Sequence, residues 1–140
     1  VVTDAIGITG TRSAITIPQG RALFDLLRQM RTRFLWMNHG DCVGVDEVAA
    51  QWWSIEDGRL RAHDPDVDAL RAFVASDERM PPLPYLVRNR AIVDTSRALV
   101  AVPNGPERER SGTWATVRYA RRLGRPVAIV MPNGDVVREE

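Results

Sequence analysis

The sequence predicts an α/β fold: a parallel sheet covered by helices on both faces. Two observations carry this. Short apolar runs alternate along the chain with amphipathic segments of helical period. The runs also lack the in–out alternation of half-exposed strands, so they read as strands buried on both faces.

The elements follow in order. Residues 5–9 form the first strand, ending in Gly10, Thr11 and Arg12 as a tight loop. Pro18 opens a helix, where proline is tolerated, and Leu23, Leu26, Leu27 and Met30 recur on one face of it. Residues 34–37 form the second strand, followed by His39, Gly40 and Asp41. A helix over 45–53 carries Asp46 and Glu47 in its first turn, where the dipole favours negative charge. Residues 59–62 form a weaker third strand. A short helix is expected over 67–74, and residues 76–84, with their three prolines, read as an irregular surface segment. Helical pattern resumes over 85–96. Residues 98–102 form the fourth strand, and 103–110 a loop. Ser111 caps a helix reaching about Leu123, and Gly124 stops it. Residues 127–131 form the fifth strand, Pro132, Asn133 and Gly134 a turn, and the charged tail is expected to be loose.

This order gives a Rossmann-like three-layer domain with five parallel strands and right-handed crossovers, in the order 3-2-1-4-5. Its 140 residues suit one domain spanning 1–140, with no linker or repeat. Hydrophobic residues make up 44% of the chain, enough for a core without metal or disulfide staples. The net charge of +1 argues against a broad electrostatic grip on nucleic acid. Cys42 is the lone cysteine, which fits a reducing cytoplasm. No apolar run reaches the ~20 residues needed to span a bilayer, so no membrane role is expected.

Four groups of residues can carry chemistry. Gly10, Thr11 and Arg12 form a turn whose backbone N–H groups can meet an anion, with Arg12 able to grip phosphate; a plain tight turn explains the glycines equally well. Ser111, Gly112, Thr113 and Thr116 lie at a helix N-terminus, where unpaired N–H groups and the dipole favour an anion. Capping explains Ser111 but leaves the glycine and threonines over. Gly40, Asp41 and Asp46 follow the second strand, and Asp46 can bond a ribose hydroxyl or cap its helix. His39 and Cys42 lack further well-spaced metal ligands, so no metal and no cofactor are expected. Arg88 and Arg90 point to nearly opposite sides of their helix, so at most one faces a ligand. With strands one and four adjacent, the Gly10 loop and the loop through Asn104 meet where the strand order reverses, outside the carboxyl ends of the strands.

The chain resembles the SLOG superfamily, which joins the DprA (Smf) and LOG "lysine decarboxylase-like" proteins. The resemblance rests on Arg88-Asn89-Arg90, the strand over 99–102 with Pro103, Ser111-Gly112-Thr113, Gly124-Arg125-Pro126-Val127, and Gly44-Val45-Asp46 with Ala49. It implies a phosphate-bearing nucleotide ligand and a homodimer. Through LOG-type enzymes it implies a nucleoside-monophosphate N-glycosidase with Arg88 as a catalytic residue. Through DprA it implies single-stranded DNA binding. Thr116 stands where LOG-type enzymes place a catalytic glutamate, and a threonine cannot take over a carboxylate's charge or basicity. An insert at 106–110 offers Glu107 and Glu109 as substitute carboxylates. The reading that follows is of a binding module, a sensor or sequestering domain, with Arg88 rather than Arg90 facing the ligand.

Overall fold

The computed structural model describes residues 4–140. Helices α1 (Ile17–Arg31), α2 (Val45–Ile55), α3 (Tyr85–Asp94) and α4 (Gly112–Arg122) flank strands β1 (Ala5–Gly10), β2 (Trp36–His39), β3 (Arg59–Pro65), β4 (Glu78–Leu83), β5 (Ala98–Val102), β6 (Val127–Val130) and β7 (Val136–Glu139). The strands form one sheet in the order β4-β3-β2-β1-β5-β6-β7. All neighbours pair parallel except β6 and β7.

The α/β three-layer character holds. The expected five-stranded, all-parallel sheet does not: the sheet has seven strands and is mixed, so its full order differs from 3-2-1-4-5. The five anticipated strands form its interior as β3-β2-β1-β5-β6. Each edge carries a strand the sequence reading missed. β4 runs through the segment assigned to irregular surface, with Pro81 and Pro82 inside it; an edge strand tolerates proline because one side needs no partner. The tail expected to be loose forms β7, antiparallel to β6 through the turn at Gly134. The helix expected over 67–74 is absent. Leu70 and Phe73 have φ of 68° and 55°, which a right-handed helix cannot contain.

Strand alternation divides the core. Ile6, Ile8, Val100 and Val102 face α1 and α2, together with Leu23, Leu27, Ala49 and Trp53. Leu99, Ala101 and Ile129 face the other way, onto Val93, Trp114 and Val117 of α3 and α4. The helix ends follow local chemistry. Thr16 and Gln19 form a reciprocal capping box on α1. Ser111 accepts a hydrogen bond from the Trp114 N–H at the start of α4. Gly124, at φ 69°, ends α4 in the left-handed conformation.

Candidate functional site

The carboxyl edge of the sheet carries two polar centres. The first is an open cleft of about 230 Å3 between the loop after β1 and the loop between β5 and α4. Gly10, Thr11, Arg12, Asn104, Ser111, Gly112 and Thr113 line it. The β1 loop is tied to the end of β5, the Thr11 N–H donating to the Val102 carbonyl at 3.0 Å. Gly10 is small for a packing reason: a Cβ there would lie 2.6 Å from Val45 of α2. The glycine therefore lets α2 seat against β1, a packing role beside the two readings of the turn, anion approach and a plain tight turn. The N–H groups of Gly112 and Thr113 begin α4 and have no carbonyl one turn back.

Four further residues line the cleft that sequence reasoning missed: Ser13, Tyr85, Arg108 and Arg110. Every one of the 19 basic residues in this chain is an arginine. Among the described residues, Arg12, Arg108 and Arg110 make no ion pair, whereas Arg71, Arg79, Arg118 and Arg121 do. Arg110, immediately before the α4 cap, has φ 57°, a conformation that costs a non-glycine residue about 1 kcal/mol or more. The signal available in the sequence was the basic content of a loop leaving the carboxyl end of a strand. Tyr85 gave no such signal, because its position depends on α3 lying beside α4.

The second centre is closed. Asp41, fully buried, accepts from Arg71 Nε at 2.9 Å, Arg79 Nη2 at 3.2 Å and the Val74 N–H at 2.8 Å. Asp64 takes the same two guanidiniums at 3.3 and 2.8 Å. Together they clasp the 66–77 loop to the sheet. His39 joins the clasp as a neutral ring. Its Nδ1 accepts from the Asp41 N–H at 3.0 Å, so Nε2 carries the proton and donates to Ser76 Oγ at 2.9 Å. Burial holds His39 and His63 well below the ordinary histidine range, each at about 4.

Arg88 belongs between these centres. It is 2% exposed. Its guanidinium donates to the carbonyls of Gly40 and His63, to Asn89 Oδ1 and to Cys42 Sγ. Gly40 is a glycine because a Cβ would lie 2.8 Å from Arg88 Nη1 and 2.9 Å from Asp46 Oδ2. Asp46 is buried beneath this contact and accepts from the Gly40 N–H at 2.9 Å. Burial pushes its carboxyl up to about 6, while the Arg88 charge and two backbone N–H groups oppose the shift. The Arg88 guanidinium also stands 4.8 Å from the Tyr85 ring centre, and Arg12 stands 5.5 Å from the same ring. Arg88 thus backs a cleft wall without lining the cleft. Arg90 does point elsewhere, to the ring of Tyr119.

The structure therefore brings Gly10, Thr11, Arg12, Asn104, Ser111, Gly112 and Thr113 together and leaves five anticipated residues outside. Gly40, Asp46 and Arg88 form the strut, and Asp41 forms the clasp. Thr116 is buried, its hydroxyl donating to the Gly112 carbonyl at 2.8 Å. Glu107 is turned away from the cleft and pairs with Arg118 and Arg121.

No family model matches the chain, and neither does any curated protein. Solved structures do match in fold. TM1055, a structural genomics target, is 20% identical with a TM-score of 0.65, over 89% of this chain and 72% of that one. DNA processing protein A (DprA) from Streptococcus pneumoniae is 19% identical with a TM-score of 0.65; the match covers 89% of this chain and 49% of that one. DprA from Helicobacter pylori, whose structure describes a single-stranded DNA binding mode, is 17% identical with a TM-score of 0.60, over 89% of this chain and 64% of that one. This chain therefore spans between about half and two thirds of the DprA chains. Its fold is the one that the SLOG resemblance implies.

Proposed function

We propose that this chain binds a nucleotide or nucleotide-derived ligand through its phosphate, in the cleft between the β1 loop and the start of α4. One observation carries the reading: three arginines without carboxylate partners among the described residues line the cleft that holds the free N–H groups of an α-helix. Such a surface offers donors and positive charge to an acceptor-only group, which describes phosphate. The Tyr85 ring adds a flat apolar wall on which a base can stack.

The lining residues supply guanidinium, hydroxyl, amide and phenol groups but no carboxylate. With Thr116 committed to Gly112 and Glu107 to two arginines, binding accounts for the site better than glycosidic bond cleavage does. A nucleotide panel screened by thermal shift, followed by calorimetry, tests the proposal. Thr113→Val should weaken the best ligand by about 1–3 kcal/mol if its hydroxyl bonds a charged oxygen. Unchanged affinity removes Thr113 from the site. Product analysis of the same mixtures reads any turnover, which would favour the glycosidase alternative.

A second reading, single-stranded DNA binding, draws on the fold shared with DprA and on the arginine content of the cleft. It predicts oligonucleotide affinity that falls steeply with salt, by a power set by the number of phosphates neutralised. A nucleotide held by one phosphate gives a slope near one.

A further inference from the structure

Asn89 sits in α3 with only 8% of its surface exposed. Arg88 Nε donates to one atom of its amide at 2.8 Å, which identifies that atom as the oxygen. The amide NH2 is therefore the other end, and among the described residues it has no partner. It lines a groove of about 170 Å3 between α3 and α4, separate from the cleft. The groove also presents Arg90 and Arg122. Their guanidiniums stand 5.3 and 5.6 Å from the Tyr119 ring centre, and neither forms an ion pair among the described residues.

We propose that the α3–α4 groove is a second anion site, taking the phosphate or carboxylate group of a small organic molecule. The donor set points this way. Asn89 contributes two N–H donors, and Arg90 and Arg122 contribute charge. The residues lining the groove include no carboxylate: Asp94 is occupied at the edge by the Tyr119 hydroxyl at 2.6 Å, and Glu107 by Arg118. An acceptor-only ligand matches these donors, which no protein acceptor among the described residues takes up. Leu86, Ala115 and the Tyr119 ring add apolar surface for a carbon body. Nothing in this site depends on the cleft being occupied.

The test is a titration of 15N-labelled protein, with inorganic phosphate in one arm and acetate in the other. The readout is the Asn89 side-chain NH2 resonance pair. Saturable shifts are expected in at least one arm, and the arm that saturates names the ligand group. The Arg90→Gln/Arg122→Gln protein should bind roughly tenfold more weakly or worse; both positions are exposed, so the fold survives. The cleft variant Arg110→Gln/Thr113→Val should keep the wild-type shifts. Shifts that rise linearly with both anions report ionic strength only and overturn the proposal. So does saturation that survives in the arginine variant, or that disappears with the cleft variant.

Discussion

The cleft and the clasp share one edge of the sheet and one side-chain chemistry, yet they use it oppositely. In the clasp, Arg71 and Arg79 each meet both Asp41 and Asp64. In the cleft, Arg12, Arg108 and Arg110 meet no carboxylate among the described residues. Matched charges hold a loop down and leave nothing for a ligand; unmatched charges at the mouth of a helix do little for the fold and remain available. An arginine at a strand's carboxyl end is thus not informative by itself. What decides its role is whether an acid reaches it.

The largest expected contrast comes from the strut between the two regions. Arg88→Ala removes a buried charge from above Asp46 and strands the carbonyls of Gly40 and His63. Chemical denaturation should show a loss of about 3–5 kcal/mol. A loss below 1 kcal/mol would return Arg88 to the ligand side.

Acid should weaken the fold through its two buried histidines, one of them in the clasp. His39 and His63 titrate at about 4 in the folded chain against 6.5 as free histidines. The unfolded chain therefore binds more protons, and the stabilisation, complete above 6.5, is lost as pH falls toward 4. Each histidine contributes on the order of 3 kcal/mol to this loss. Asp46 acts the other way: its carboxyl, raised from 3.8 to about 6, gains stability as pH falls through that range, returning on the order of 3 kcal/mol. The net is a loss on the order of 3–4 kcal/mol between pH 6.5 and 4. Urea midpoints across that range check it, and a flat profile would contradict the neutral, buried histidines.

Smaller effects sharpen the contrast. Asp41→Asn keeps an acceptor for the Val74 N–H and tolerates the φ of 56°, but it leaves Arg79 with Asp64 alone and Arg71 with Asp64 and the exposed Asp68. About 2–3 kcal/mol of stability should go, read by thermal denaturation at fixed pH. Arg110→Ala should move stability by no more than about 0.5 kcal/mol and act on ligand affinity instead. A stability loss as large as that of Asp41→Asn would mean that the two regions do not differ as described.

How much was legible in the sequence follows the same divide. Strands buried on both faces announce themselves, so β1, β2, β3, β5 and β6 were readable. β4, with its two prolines, and β7, with Arg138 and Glu139, carry edge chemistry that resembles loop. Residues 67–74 resemble a helix because Val67, Leu70 and Val74 fall at helical spacing. Their conformation is set from outside, by the Asp41 and Asp64 carboxylates, which local pattern does not report. The candidate site divides similarly. Residues on the β1 and β5–α4 loops were readable from a glycine turn and a helix N-terminus, and the order of strands brought the two loops together. Tyr85, Arg108 and Arg110 depend on how α3 and the insert lie in space, and Glu107 was drawn away by Arg118 and Arg121.

The antiparallel return of β7 bears on how the chain can be rewired. Glu139 pairs with Val127 at the start of β6, so β7 ends at the edge where β1 begins, opposite the cleft. Two strands, β5 and β6, separate β1 from β7, which puts Ala5 and Glu139 roughly 14 Å apart at the usual inter-strand spacing. A short glycine–serine linker of about six residues spans that gap. A circular permutant joined from Glu139 to Ala5 by that linker and opened in the exposed 66–70 turn should then keep its cleft, and an anchoring tag on the linker would hold the protein with the cleft facing solution.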